Sequence, residues 1–230
     1  MNDLNQNKAN EDIEVFPKFP KIPRRRRPIT ITEKIDGTNG LISIGFAPSP
    51  HWAGPGTFQY NVPRPDDSVL SSLIIIRAGS KNRWLTPAKS DDNFGFARWV
   101  WENRWNLVAD LGIGDHYGEW YGNGIQRGYE LKNGDKRFAL FNTYRWSDRQ
   151  FATSGLGCVP IICKEVDNHE DNIQYALRLL EKSGSFCVPG FMKPEGIVIF
   201  EHASDRMSKV TLENDNEPKG KKSILTKDAT

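Results

Sequence analysis

Apolar residues in this chain come in short runs bounded by glycine, proline or charge, and most runs are too short for helices. Ile29 and Ile31 alternate with Thr30 and Thr32, the period-two pattern of a strand with one buried face. Residues 40–46 (GLISIGF), 73–78 (LIIIRA), 116–122 (HYGEWYG), 137–143 (RFALFNT), 196–201 (GIVIFE) and 208–213 (SKVTLE) read as further strands. Residues 47–56, APSPHWAGPG, are loop, and YELKNGD (129–135) bears a turn. Two stretches have a helical period instead. Asp91 or Asp92 caps the first, which carries Phe94, Trp101, Trp105 and Val108 on one face and ends at Gly112 and Gly114. The second covers residues 169–183, turns Ile173, Ala176, Leu177 and Leu180 inward, and stops at Gly184. Strands outnumber helices without alternating strictly with them. The expected fold class is therefore α+β, a single domain on antiparallel sheet with flexible termini.

The 230 residues fit one domain with tails and suffice to bury a core. No apolar run approaches the ~20 residues of a membrane helix, and the N-terminus, MNDLNQNKANEDIEVF, lacks the pattern of a secretory signal. Three cysteines, Cys158, Cys163 and Cys187, are odd in number and too few for a disulfide framework, so reduced thiols and a cytoplasmic location are expected. The net charge of +2 does not by itself call for a nucleic-acid partner. Charge is clustered, however. Arg24 to Arg27 close a basic N-terminal arm (1–28), and Lys219, Lys221 and Lys222 crowd a polar tail (214–230).

Several chemistries are excluded. There is no phosphate-binding Gly-rich loop ending in Gly-Lys-Ser/Thr and no Gly-x-Ser-x-Gly elbow. His51, His116, His169 and His202 lack paired metal-ligand spacing, and the cysteines form no Cys-x-x-Cys. The informative segment is Glu33-Lys34-Ile35-Asp36-Gly37-Thr38-Asn39-Gly40. It puts a lysine at a strand end, directly before a tight Asp-Gly turn. A lysine fixed beside a loop that a phosphate can approach becomes a nucleophile once its amine is neutral.

Lys34-Ile35-Asp36-Gly37 resembles motif I of the covalent nucleotidyltransferases, which include ATP-dependent DNA ligases, RNA ligases and mRNA capping enzymes. The later motifs follow in order. Ser80-Lys81-Asn82-Arg83 is similar to the Ser-Arg-Asn element, with Lys81 where arginine is usual. Tyr117-Gly118-Glu119-Trp120-Tyr121-Gly122 resembles motif III, Arg137-Phe138-Ala139-Leu140-Phe141-Asn142 motif IIIa, and Glu195-Gly196-Ile197-Val198-Ile199 motif IV. Lys209-Val210-Thr211 stands where motif V is expected. The Glu33 to Asn39 segment, with Asn93-Phe94-Gly95-Phe96 after it, looks most like the RNA ligase 2 type.

The resemblance implies an antiparallel-sheet nucleotidyltransferase domain, the ATP-grasp-like adenylation domain of ligases, over residues 29–213. It implies an ATP-dependent RNA ligase that joins a 5′-phosphate to a 3′-hydroxyl through a lysyl-AMP intermediate, as in RNA repair. Lys34 is then the nucleophile and Lys209 a catalytic cation. Glu33, Lys34, Asn39, Lys81, Glu119, Phe138, Glu195 and Lys209 bind the nucleotide, with Glu119 on the ribose. Glu195 carries Mg²⁺ or Mn²⁺, and Asp36 holds the loop. Phe138 or Phe141 stacks on adenine. Three positions apart on a strand they face opposite sides, so only one can do so, and the motif register favours Phe138. The implied partners are RNA strand ends, including those of a nicked duplex, with no membrane and no stable protein partner. Two departures stand out: Thr211 replaces the second lysine of the usual Lys-x-Lys, and Lys81 lacks the fork of arginine. The length also leaves no room for the C-terminal domain of many ligases. A minimal DNA ligase and a weak nucleic-acid-end binder are the alternatives, and a capping enzyme fits the length less well.

Overall fold

The computed structural model describes residues 27–49, 55–63, 69–88 and 90–213. The tail from 214 onward, and the arm apart from its last two residues, lie outside the described residues. Those two residues belong to the sheet: Pro28 opens a strand, and Arg27 Nη1 donates to Glu201 Oε2 at 3.3 Å.

Two sheets carry the fold. The first has the order β10-β9-β1-β8, from strands β1 (Pro28–Lys34), β8 (Ile161–Asp167), β9 (Gly196–Glu201) and β10 (Arg206–Thr211), all antiparallel. The second has the order β3-β4-β2-β5-β6-β7, from β2 (Thr38–Phe46), β3 (Thr57–Pro63), β4 (Val69–Gly79), β5 (Gly114–Gly122), β6 (Lys136–Leu140) and β7 (Leu156–Cys158). Its neighbours are antiparallel except β6 and β7. The fold is thus α+β and dominated by antiparallel sheet, as expected. Strands β3, β7 and β8 were not anticipated. Each lies beside proline or glycine and lacks the clean alternation of β1. Among the described residues, no helix is long and apolar enough to cross a membrane.

Strand alternation gives each sheet one packed face. In the first, Ile29, Ile31, Ile197 and Ile199 pack on Ala176 and Leu180 of helix α4 (Glu170–Ser183). This is the helix expected at 169–183, stopped at Gly184, whose N–H reaches the Leu180 carbonyl. In the second sheet, Ile42, Ile44, Ile74, Ile76, Trp120, Phe138 and Leu140 pack beneath helices α1 (Phe96–Glu102) and α2 (Arg104–Leu111). A fully buried side chain of this size contributes about 1.5–3 kcal/mol. A third cluster, with Ile35, Tyr121, Tyr129, Ala139, Val159 and Phe191, joins the sheets.

The first helix differs from its expectation. It is two helices that meet at Asn103, and the buried residues are Phe96, Ala97, Val100, Leu107, Val108 and Leu111. Phe94, Trp101 and Trp105 are exposed. The cause is the approach to the helix. Asn93, Phe94 and Gly95 have φ of 45°, 58° and 90°, so the helical phase starts at Phe96. The N-cap is Gly95 and not the expected aspartate, although the Asp92 carboxylate accepts from the Arg98 N–H at 2.8 Å.

Gly40 sits against this core. A Cβ there would lie 2.7 Å from Phe138 Cε2 and 2.8 Å from Phe96 Cζ. Gly40→Ala is expected to cost about 1–3 kcal/mol through overpacking, read as a lower midpoint in thermal unfolding followed by circular dichroism.

Candidate active site

Lys34 is the last residue of β1, and three residues later the chain enters β2 in the other sheet. The site forms at this crossing, between the unpacked faces of the two sheets. In the first sheet, Lys34 pairs with Gly196 and Gly196 with Thr211, so Lys34 and Thr211 stand in one row. One same-face row away, Thr32 pairs with Val198 and Val198 with Lys209. Lys34 and Lys209 therefore share a face, and Lys209 is exposed. Glu195, just before β9, is 2 % exposed, and its Oε2 accepts from Lys34 Nζ at 2.5 Å.

The second sheet supplies the opposite wall. Asn39 pairs with Glu119. The Glu119 carboxylate accepts from the Gly37 N–H at 3.1 Å and from Asn39 Nδ2 at 3.3 Å. Burial pushes its pKa up to about 7. The Lys34 ammonium and the Gly37 N–H oppose that rise, while Glu195 and Asp36 add to it. Lys81 is exposed in the bend after β4, two residues beyond Gly79, the partner of Leu41. It stands at the same end of the sheet as Asn39.

Two expected site residues face elsewhere. Strand alternation turns Glu33 away from Lys34. It is 1 % exposed, and its Oε2 accepts from the N–H groups of Phe186 (2.8 Å) and Cys187 (2.9 Å). Burial raises its pKa against the hydrogen bonds from Ser185, Cys187 and Phe186. Glu33 thus anchors the 185–188 turn and does not reach the cleft. Phe138 pairs with Trp120, not with Glu119, and is 0 % exposed, with its ring centroid 5.0 Å from that of Phe96. It is a core residue on the wrong face for a base. The other candidate, Phe141, hydrogen-bonds through its N–H to the Tyr117 carbonyl, which extends the β5–β6 ladder by one residue. It shares the Glu119 face and is 40 % exposed.

Arg127 was not singled out from the sequence. Its Nε donates to Asp36 Oδ2 at 3.2 Å, its Nη1 to the Lys193 carbonyl at 3.1 Å and its Nη2 to Glu213 Oε2 at 3.4 Å. One guanidinium thus ties the crossing to the segments before Glu195 and after Thr211. The Asp36 N–H also donates to Tyr129 Oη at 2.7 Å, so Asp36 holds the loop as expected. The only signal in the sequence was a cluster of glycines, 122, 124 and 128, around Arg127. The same segment holds Gln126, Tyr129 and Glu130 at φ of 46°, 52° and 56°.

Among the described residues, no group of three or more His, Cys, Asp and Glu side chains is placed to hold a metal ion. A magnesium ion needs fewer, since one or two carboxylates suffice when phosphates and water complete its shell. Glu195, beside the Lys34 amine, fits that donor set. The arrangement brings a fixed amine, two carboxylates and a second cation to one cleft, which suits attack on a phosphate.

A family model described as RNA ligase matches residues 27–211 and so takes in both walls of the site. Among solved structures, the chain is similar to an RNA ligase of Naegleria gruberi, a lysine-to-alanine mutant with ATP and Mn. The identity is 17 % and the TM-score 0.44, over 81 % of this chain and 50 % of that one. The chain thus spans about half the length of that protein. No curated protein matches.

Two outcomes are expected from this geometry. Phe138→Leu should lower the melting temperature, whereas Phe141→Leu, at an exposed position, should change it little. Glu119 retains a proton in the folded protein between its ordinary pKa of 4.5 and about 7. Its contribution to stability therefore declines as pH rises through that window. The melting temperature of the native protein should therefore fall relative to that of Glu119→Gln as pH rises through this range.

Proposed function

Because the chain belongs to the RNA ligase family, we propose that it is an ATP-dependent RNA ligase whose two-sheet body is a nucleotidyltransferase domain. The observation that carries this reading is the position of Lys34, at the crossing between sheets and 2.5 Å from the Glu195 carboxylate, with Glu119 on the facing wall. In the proposed reaction the neutral Lys34 amine attacks the α-phosphorus of ATP. A P–N bond forms, the bond to the pyrophosphate oxygen breaks, and the amine proton leaves. The AMP group then passes from Lys34 to the 5′-phosphate of an RNA strand. Finally a 3′-hydroxyl attacks that phosphate, forms the phosphodiester and releases AMP.

Each residue has a role that follows from its chemistry. Glu119 accepts the ribose hydroxyls, in a position held by Gly37 and Asn39. Phe141 lies under the base. Lys209 and Lys81 face the phosphates, where negative charge accumulates in the transition state. Thr211, in line with Lys34, offers a hydroxyl where the second cation of the usual motif would be. A magnesium or manganese ion held by Glu195 would neutralise phosphate charge. Arg127 and Asp36 position the loop and touch no reacting atom.

Incubation with α-labelled ATP and magnesium tests the reading. The native protein should become labelled, and Lys34→Arg should lose at least a hundredfold of that labelling, because a guanidinium keeps its charge and is no nucleophile. Persistent labelling of the variant would exclude Lys34. A second arm compares nicks that differ only in the sugars on the 3′-hydroxyl side, where the 2′-hydroxyl is what separates RNA from DNA. Faster sealing of the DNA nick would overturn the RNA assignment.

A further inference from the structure

The face of the second sheet that carries Asn39 and Glu119 continues past them. In the next same-face row, about 7 Å along the strands, Tyr117 pairs with Leu41 and Leu41 with Gly79. Gly79 has no side chain, and the ring of Trp84 takes that place: a Cβ on Gly79 would lie 3.4 Å from Leu41 and 3.5 Å from Trp84 Cε3. Helices α1 and α2 cover the other face of this sheet. Tyr117 is 58 % exposed and Trp84 45 % exposed, so two large rings stand in the open in one row with Leu41 between them. The guanidinium of Arg77 lies 3.7 Å from the centroid of the Trp84 ring. Arg77 is itself exposed, and Lys81 follows at the end of the strand. Glu119 and Asp115 are acidic groups on this face, both on β5 at the far side from Arg77.

We infer that this row is a platform for an unpaired stretch of the RNA strand that leads to the joint. The inference rests on the reading of the chain as an RNA ligase. Exposed aromatic rings on an open antiparallel sheet bind single strands, because every base has a π face to offer and a paired, stacked base does not. Tyr117 and Trp84 are two strand spacings apart, about 10 Å, so different bases of one strand meet different rings. Arg77 and Lys81 put positive charge at one end of the row and Glu119 and Asp115 put negative charge at the other, so the phosphates run toward β4. The row lies directly beside the row of Asn39 and Glu119, so a strand seated on it passes next to the nucleotide. The predicted preference is for ends whose terminal nucleotides are unpaired over a fully paired nick.

The test uses Tyr117→Leu, Trp84→Leu and their combination, which keep apolar cover and remove the π faces. Labelling by ATP serves as the control for folding and for the Lys34 chemistry, and should be unchanged. Sealing is then measured with strands already carrying AMP on the 5′-phosphate, in three forms: single-stranded RNA, a nicked duplex with two mismatched pairs at the joint, and a fully paired nick. The KM for the first two should rise about tenfold for each ring removed, and the KM for the paired nick should not move. Arg77→Ala should add a loss that shrinks as salt is raised. Unchanged KM on all three substrates, with labelling intact, would overturn the platform and leave the ligase reading standing. Equal losses on all three would overturn the preference for unpaired strands. Absence of labelling in the native protein would instead defeat the ligase reading itself.

Discussion

Three residues, Ile35 to Gly37, take the chain out of one sheet and into the other, and the site depends on how tightly that passage is held. Gly37 has no room for a side chain, because a Cβ would collide with the Trp120 carbonyl oxygen. The Asp36 N–H is fixed by Tyr129, its carboxylate by Arg127, and the Gly37 N–H by Glu119. Ile35 is buried in the cluster that joins the sheets. The side chain of Lys34 leaves the backbone immediately before this passage. Its amine is thus aimed by constraints on the residues after it together with its ion pair to Glu195.

Two carboxylates lie beside Lys34, the buried Glu33 in sequence and the half-buried Glu119 in space, and their surroundings differ. Glu33 is enclosed, and one of its oxygens, Oε2, accepts from two backbone N–H groups of another turn. Burial without a cation is tolerable there because those donors supply the compensation. Glu119 is also desolvated, but it lies within the field of Lys34 and beside a cleft. The same residue type thus anchors a turn in one place and borders the cleft in the other, and the difference is the face on which each strand presents it.

Alternation also explains what could be read from the sequence. The β1 and β2 patterns and helix α4 with its Gly184 stop were legible because each rests on local periodicity, whereas Glu119, Glu195 and Lys209 stood out only through the resemblance of their short motifs to a known family. Phe138 was misread because a short motif does not reveal which face a strand presents. That is decided by pairing with β5, a long-range choice. The exposed Trp101 and Trp105 were misassigned for a related reason: three consecutive positive φ angles reset the helical phase, and while Asn93 and Gly95 favour that conformation, Phe94 between them gives no sign of it. Arg127 acts only through partners far from it in sequence, at positions 36, 193 and 213, so no spacing rule could have found it.

Gln126, Tyr129 and Glu130 adopt left-handed backbone conformations around that arginine. Non-glycine residues in this region cost of order 1–3 kcal/mol each, and such strain persists only where its surroundings enforce it. A chain optimised for stability alone would relax this segment with glycines. Relaxation would also free Arg127 and Tyr129, the two side chains that hold Asp36. The segment therefore marks a point at which gains in thermal robustness and loss of alignment at Lys34 are coupled, so any effort to harden this protein should begin elsewhere.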